Sequence, residues 1–348
     1  MFLENQRVLV TGGTGSLGQT IVRRLLSGSA GRPAKITVFS RDEAKQHYMR
    51  VSYLHREAAT DDVIYRNSQD LLSFRIGDVR DYAAVVQAVR DADIVIHSAA
   101  LKQVPTCEYF PAEAVLTNVV GAQNVVRAIR EERSHPKLVV GVSTDKACKP
   151  INVMGMTKAL MERTLIEANL GCADTSFVCV RYGNVIASRG SVVPLFLDQI
   201  AKGGPVTLTL KEMTRFLLTL ERAVDTVFAA IQGADRGDTY VPRVPAARMV
   251  DVADALIDGR DIPVVYTGIR PGEKIHEIMV SEEERYRTVE RGDYYVIRPL
   301  LPELAAGPFE SAALPGEYSS AQITLDRDSL RTLLAPYMKA PDAIRATA

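Results

Sequence analysis

Through the first half of the chain, short apolar runs alternate with longer stretches whose apolar residues recur at helical spacing. Val8-Leu9-Val10 is the first run, and it stops at a group of glycines. Residues 16–27 follow, with Leu17, Ile21, Val22, Leu25 and Leu26 on one helical face. Residues 36–39, 74–76, 94–97, 138–142 and 177–180 predict further strands. Helices are predicted at 41–56, 82–90, 112–130 and 152–168. Strands that are apolar throughout are buried on both faces, as in a parallel sheet covered by helices. The expected fold is α/β: a Rossmann-type doubly wound parallel sheet with right-handed crossovers, plus a smaller α/β lobe.

Beyond about residue 190 the rhythm changes. Helical spacing recurs at 192–202, 220–232 and 249–257, but the strands are short and scattered. Gly203-Gly204-Pro205 and Arg270-Pro271-Gly272 mark turns, and 302–315, rich in Ala, Pro and Gly, predicts a loop. The division expected is a sheet domain over 1–185 and, over 186–348, mainly a smaller lobe with a C-terminal extension. Some segments of the second part are expected to return to the first.

Composition narrows the classes. The 348 residues are 47% hydrophobic, enough for a sizeable core. Lys+Arg and Asp+Glu number 42 each, so net charge makes no case for nucleic acid or an anionic membrane as partner. Cys107, Cys148, Cys172 and Cys179 form no C-x-x-C pair and have no histidine at metal spacing. Small buried hydrophobes in a reducing compartment are expected, with no metal site. The first residues carry no signal-like apolar region, and no run approaches the roughly 18 apolar residues of a membrane span. A soluble, cytoplasmic protein is expected.

The first strand runs into Thr11-Gly12-Gly13-Thr14-Gly15-Ser16-Leu17-Gly18, which opens the first helix. Gly12, Gly15 and Gly18 fit G-x-x-G-x-x-G, and Gly13, Gly15 and Gly18 fit G-x-G-x-x-G. Such a loop lets backbone amides approach a pyrophosphate at a helix N-terminus, so a dinucleotide is the expected ligand. The rival P-loop needs a lysine where Gln19 stands. Cofactor choice is read at the end of the second strand, where Ser40-Arg41-Asp42 stands. Arg41 favours the extra phosphate of NADP, while Asp42 leaves NAD open.

The fifth strand ends in Ser143-Thr144-Asp145-Lys146, and the next helix carries Met154 and Lys158 on one face. Ligands bind at such strand ends, so a hydroxyl, a carboxylate and two lysines there suggest a proton-transfer site. Read without the glycine loop, the same residues describe a solvated turn. His97 is expected to be a satisfied residue at its strand end.

Read in order, these blocks resemble the extended short-chain dehydrogenase/reductases that act on nucleotide sugars, and more narrowly the inverting UDP-N-acetylglucosamine 4,6-dehydratases of bacterial surface-sugar pathways. The resemblance rests on the glycine loop, Ser40–Glu43, Gly77-Asp78-Val79-Arg80, residues 97–105, Asn118-Val119-Val120-Gly121 and Ser143–Lys146. It continues through Pro150-Ile151-Asn152, Arg181-Tyr182-Gly183-Asn184-Val185, residues 188–192, Met213-Thr214-Arg215-Phe216, Arg270-Pro271-Gly272-Glu273-Lys274 and Tyr294-Tyr295-Val296-Ile297. One departure stands out: Met154 occupies the tyrosine position of Tyr-x-x-x-Lys, and a thioether takes no proton. A subgroup of these dehydratases resembles this chain in that respect.

The resemblance implies a catalytic set of Thr144, Asp145, Lys146, Met154 and Lys158. It implies that hydride leaves C4 of the hexose for the cofactor and returns to C6. Thr144 would bind the C4 hydroxyl, Lys158 would hold the nicotinamide ribose and relay a proton, a neutral Lys146 would take the C5 proton, and a protonated Asp145 would release the C6 hydroxyl. Cofactor contacts are implied for Gly12, Thr14, Gly15, Ser16, Leu17, Gly18, Ser40, Arg41, Asp78, Val79, Ala99, Ala100, Lys102, Asn118, Lys158, Tyr182 and Asn184. Contacts to the UDP-sugar are implied for Lys102, Arg181, Asn184, Val185, Arg189, Ser191, Val192, Arg215, Arg270 and Glu273. The resemblance implies a homo-oligomer, a dimer or a hexamer. Two other readings stand beside the dehydratase. One is a UDP-hexose 4-epimerase, on UDP-GlcNAc or UDP-glucose. The other is an inactive NADP-binding sensor, which Met154 motivates.

Overall fold

A computed structural model describes residues 1–53, 71–132, 135–186, 191–305, 312–322 and 324–339. Six parallel strands carry the first half: β1 (Arg7–Thr11), β2 (Lys35–Ser40), β3 (Leu72–Ile76), β4 (Ile94–His97), β5 (Leu138–Thr144) and β6 (Ser176–Tyr182). They lie side by side in the order β3-β2-β1-β4-β5-β6. The order reverses between β1 and β4, and at such a switch point the crevice beyond the strand ends is where ligands bind. The strands are apolar throughout because helices cover both faces. Val8 and Val10 pack on one side with Ile21, Val22 and Leu25, while Leu9 packs on the other with Val95, Val125 and Ile129. Each such side chain, fully buried, contributes about 1.5–3 kcal/mol relative to exposure.

The sheet does not end with the first half of the chain. Thr239–Pro242 adds to β6 in parallel, and Tyr294–Ile297 and Thr288–Arg291 continue it antiparallel, to nine strands among the described residues. The helix Leu220–Gly233 packs Ala223, Val224 and Val227 into the same core as Val8. The boundary near residue 185 therefore divides the sequence but not the sheet. A separate apolar cluster joins the helices Val192–Ala201, Met249–Ile257 and Arg327–Lys339, through residues such as Phe196, Leu256 and Leu334. A three-stranded sheet of Ala246–Arg248, Thr214–Leu218 and Asn184–Val185 lies at its edge.

Local signals explain most element boundaries. Asp81 accepts hydrogen bonds from Ala83 N and Ala84 N and starts the helix Tyr82–Val89. Asn152 accepts one from Gly155 N at 2.8 Å and starts the helix Val153–Gly171. The helix predicted at 112–130 is not uniform. It begins as Pro111–Ala114, widens into a π-helical segment at Val115–Val120 and resumes as Gly121–Glu131. The widened turn carries Asn118, whose amide bonds both backbone groups of Leu101 and the Thr157 hydroxyl. Such turns recur at functional sites because they re-aim side chains. The helix predicted at 41–56 is Glu43–Tyr53, and residues beyond 53 lie outside the described set. Part of the loop predicted at 302–315 also falls outside it, and Pro302–Leu304 forms a short 3-10 turn. All four cysteines are free and buried. Among the described residues no helix is long and apolar enough to cross a membrane.

Candidate functional site

The C-terminal strand ends open into one cleft of about 770 Å³. Its volume lies in the upper part of the usual ligand-pocket range. The floor is the glycine loop. Gly12 has φ +66°, and a Cβ there would stand 2.8 Å from the backbone of Ala99. A Cβ on Gly18 would meet Gly13 Cα at 2.5 Å, so only glycine lets the helix Ser16–Leu26 start this close to the loop. Gly15 caps that helix without a side-chain bond, and no acidic residue stands in its first turn. Free amides and the positive end of the helix dipole therefore face the cleft. Thr14, Ser16 and Leu17 line it beside the glycines. This cradle fits a dinucleotide pyrophosphate.

At the end of β2, Ser40 is buried and accepts a hydrogen bond from the Thr14 hydroxyl at 3.1 Å. Arg41 is largely exposed, with Nη1 3.8 Å from Asp78 Oδ2. Arg41, Asp42 and Lys45 all line the cleft rim, as do Asp78, Val79, Ala99, Ala100 and Lys102. Asn118 does not line the cleft. It sits one layer behind, fully buried, and fixes the Leu101 wall through its hydrogen bonds.

The reactive end lies where β5 meets the helix Val153–Gly171. Thr144 donates from its hydroxyl to Asp145 Oδ1 at 2.8 Å. Lys146 Nζ stands 3.1 Å from the same oxygen and 3.2 Å from Glu277 Oε1. Asp145 is fully buried, and burial raises its pKa against the opposing pull of Lys146. Burial works against the Lys146 cation, but Asp145 and Glu277 outweigh it, and its pKa is raised. The two carboxylates thus favour the ammonium form of Lys146. Lys158 is the more readily deprotonated lysine. Burial lowers its pKa to about 8, and Nζ contacts the Met161 sulfur at 3.0 Å. Met154 is buried with Cys107 and Ala114 and also lines the cleft, so no proton acceptor stands at that position. His97 is fully buried and kept neutral by burial, its pKa lowered to about 3. Its Nδ1 pairs with the Thr11 hydroxyl at 3.0 Å, but Nε2 has no partner among the described residues, so it is only half satisfied.

The opposite wall comes from the second half of the chain. Tyr182, Asn184, Val185, Ser191, Arg215, Arg270 and Glu273 line the cleft. Asn184 Oδ1, Ser191 Oγ and Glu273 Oε2 are buried without hydrogen-bond partners among the described residues, as polar atoms awaiting a ligand would be. Arg215 is tied down by donating from Nη1 to Thr214 O and Ile275 O. Asn152 donates to Gly272 O at 2.7 Å, joining the Arg270–Glu273 turn to the start of the long helix.

Two expected substrate contacts are misplaced. Arg181 lies away from the cleft, 3% exposed, with forked bonds to Glu162 and Glu284 and a further bond to Met279 O. It rivets the long helix to the later chain, and its guanidinium has no donor left for a phosphate. Val192 begins the helix Val192–Ala201 and is half-buried outside the cleft lining. Arg189 lies outside the described residues. Glu277 is among the cleft residues that were not anticipated. Glu277 is buried against Lys146, four positions past the Glu273 turn motif. Nothing local in the sequence marks it, because its partner comes from the other half of the chain.

The family of polysaccharide biosynthesis proteins matches residues 8–299. The chain belongs to that family. It is an extended short-chain dehydrogenase/reductase of the nucleotide-sugar epimerase and dehydratase group. A UDP-glucose 4-epimerase from Rickettsia canadensis is 43% identical over 85% of this chain and 84% of its own length. The structure of Pen from Bacillus thuringiensis is 34% identical, with a TM-score of 0.84, over 97% of this chain and 99% of that one. The dTDP-glucose 4,6-dehydratase DesIV from Streptomyces venezuelae, solved with NAD and TYD bound, is similar in fold. Its TM-score is 0.65 at 20% identity, over 77% of this chain and 86% of that one.

Proposed function

We propose that this protein is a UDP-N-acetylglucosamine 4,6-dehydratase that yields a 4-keto-6-deoxy sugar with inversion at C5. The observation that carries the reading is the buried contact between Asp145 and Lys146 at the cleft end of β5. An elimination needs an acid for the leaving hydroxyl and a base for the neighbouring C–H bond. An epimerase, which returns hydride to C4, has no use for this pair. A nicotinamide cofactor held in the glycine-loop cradle would supply a temporary store for the hydride.

The chain's own residues do the rest. Thr144 holds the C4 oxygen, and Lys158, nearly half neutral around its pKa of about 8, relays the first proton in place of a tyrosine. The resulting C4 ketone acidifies the C5 hydrogen. Lys146 removes that proton after passing its own to a neighbour, and Asp145 protonates the C6 hydroxyl, which leaves as water. Reprotonation from the opposite face inverts C5. Asn184, Ser191, Arg215 and Arg270 bind the UDP moiety, with guanidinium groups on the diphosphate. Arg41, with Lys45 beside it at the rim, supports NADP as the cofactor; the neighbours solved with NAD support NAD as the second choice.

A second reading is a UDP-hexose 4-epimerase, favoured by the name of the Rickettsia relatives. One assay separates them. The purified protein is incubated with UDP-N-acetylglucosamine, and the product is followed by mass spectrometry and NMR. Loss of one water is the expected result. An unchanged mass with the spectrum of UDP-N-acetylgalactosamine would overturn it in favour of the epimerase. No turnover of any UDP-hexose by a cofactor-loaded protein would leave the sensor reading.

A further inference from the structure

Under the strand ends, on the side of the sheet that faces the helices Gly121–Glu131 and Val153–Gly171, buried polar atoms stand without partners. Leu9, Val95 and Val139 point to that side and pack with Met161 and Leu165. Two residues further along each strand, on the same face, come Thr11, His97 and Gly141, and Ser143 follows Gly141 by two. His97 pairs across the sheet with Thr11 on one side and Gly141 on the other. Gly141 keeps this layer tight: a Cβ on it would stand 3.5 Å from Met161 Cε and 2.2 Å from Leu165 Cδ1. Met161 in turn holds Lys158 Nζ against its sulfur at 3.0 Å. His97 and Lys158 thus lie in the same buried layer, close enough that the Lys158 charge is felt at the ring.

Hydrogen bonds fix what the ring offers. The Thr11 hydroxyl accepts from Ala99 N at 3.3 Å and meets His97 Nδ1 at 3.0 Å. Its single proton goes to Nδ1, the one acceptor it meets among the described residues. The ring then carries its own proton on Nε2, which is buried and has no partner among those residues. Lys158 is the matching group. As an ammonium it would offer three donors to one thioether sulfur, a weak acceptor. As a neutral amine it has a lone pair for the unpaired Nε2–H. Ser143 lines the cleft with Lys158, and its Oγ, also buried and unpartnered, can give or accept as the lysine changes charge.

We infer that His97, held by Thr11 with its proton on Nε2, donates to the neutral amine of Lys158, directly or across one buried water, and keeps that lysine ready to take the first proton. This rests on the reading of Lys158 as the proton relay of C4 oxidation, a step the dehydratase and the epimerase share. His97 is outside the cleft lining and acts through Lys158 as a positioning residue. The hydroxyl proton of C4 ends on the amine, and His97 gives none up. The ring stays neutral throughout, because burial and the nearby lysine both oppose a second cation and lower its pKa to about 3. Other neighbours of Lys158 act in the opposite sense. Glu162 on its own helix, paired with Arg181, and the Cys179 thiol on β6 both favour the ammonium. Asp145 and Lys146, in the turn packed on the same helix, are engaged with each other, and the π-helical segment carries no charge. Among the described residues, His97 is the buried donor in this layer that favours the amine.

Two measurements on the cofactor-loaded protein test this. The first needs no substrate. Long-range ¹H–¹⁵N NMR reads the His97 tautomer, and ¹³C NMR of the Lys158 side chain reads its titration. His97 is expected as the neutral Nε2–H form. His97→Asn keeps a polar atom near Nδ1 but none at Nε2, and it should move the Lys158 titration up by about one unit, because the neutral amine loses its donor. His97→Gln places an amide N–H near the Nε2 position and should hold the titration within about a third of a unit of the parent. An Nδ1–H tautomer in the parent, a Lys158 titration unmoved by His97→Asn, or one moved equally by His97→Gln overturns the inference. The second measurement follows reduction of the bound cofactor by UDP-N-acetylglucosamine in single turnovers against pH. His97→Asn should slow it about tenfold at neutral pH and return to within about threefold of the parent at alkaline pH, where the lysine sheds its proton unaided. A loss of the same size at every pH marks a purely structural role and overturns the inference. If no UDP-hexose reduces the cofactor, or reduction in the parent is flat with pH, the relay reading of Lys158 fails instead, and the NMR titrations still decide whether His97 donates to it.

Discussion

The two ends of the cleft are built in different ways. The glycine loop is largely local: strand, loop and helix are consecutive, Gly15 and Gly18 answer to their own segment, and only Gly12 answers to a distant one, the backbone of Ala99. The acid–base end is assembled at long range. Asp145 and Lys146 come from the short 3-10 turn that follows β5, Met154 and Lys158 from the next helix, and Glu277 and Arg215 from the second half of the chain. A cradle for a common cofactor can be a contiguous module. A proton site whose groups need opposed charge states requires neighbours that no single segment supplies.

The largest effect is expected at the long-range end. Lys146→Ala should reduce C5 deuterium exchange by about 10²–10⁴-fold while cofactor binding stays intact. Exchange at the normal rate would remove Lys146 as the base. Next comes the rivet between the halves. Arg181→Ala leaves Glu162 buried without this cation and Glu284 with only Arg287 at 3.8 Å, a loss of about 3–5 kcal/mol in denaturant unfolding with little change in substrate KM. A raised KM at unchanged stability would return Arg181 to the substrate. The same cluster has a pH signature. Burial opposes the Glu284 charge, but Arg181 prevails and pulls its pKa from 4.5 to about 2. A depressed carboxylate stabilises the fold above its unfolded pKa. Stability should therefore fall as pH drops from 4.5 towards about 2, as measured by unfolding at each pH.

Smaller effects sharpen the local end. Arg41→Ala should weaken NADP relative to NAD by roughly tenfold, on the order of 1.5 kcal/mol for one charge-assisted hydrogen bond, read by titration of both cofactors. An unchanged ratio would assign the choice to Lys45 or Asp42. The mildest expectation concerns Lys158. With its pKa lowered to about 8, its neutral form grows as pH rises through that value, so C4 oxidation should accelerate across it in single-turnover absorbance measurements. A flat profile there would mean that Lys158 carries no proton in this step.

Much of this was readable before any coordinates. The apolar runs at β1, β2, β4, β5 and β6 gave the parallel sheet, because a strand covered on both faces must be apolar throughout. Thr144, Asp145, Lys146 and Lys158 were readable as a group because β5 and its helix are consecutive. Arg181 misled for a physical reason. An arginine inside a family block looks the same whether it meets a phosphate or two buried carboxylates, and Glu162 and Glu284 are distant in sequence. The π-helical widening that aims Asn118 at Leu101 left no mark in the 3.6-residue pattern.

The sequence by itself determined the strands, the glycine spacing of the cradle and the reactive groups that follow β5, because each is written within one strand–turn–helix unit. Tertiary structure alone decided that three late strands extend that sheet, that Arg181 is a rivet, and that Lys146 is clamped as a cation between Asp145 and Glu277. Charge states in a buried site depend on every neighbour within a few ångströms, and only folding settles who those neighbours are.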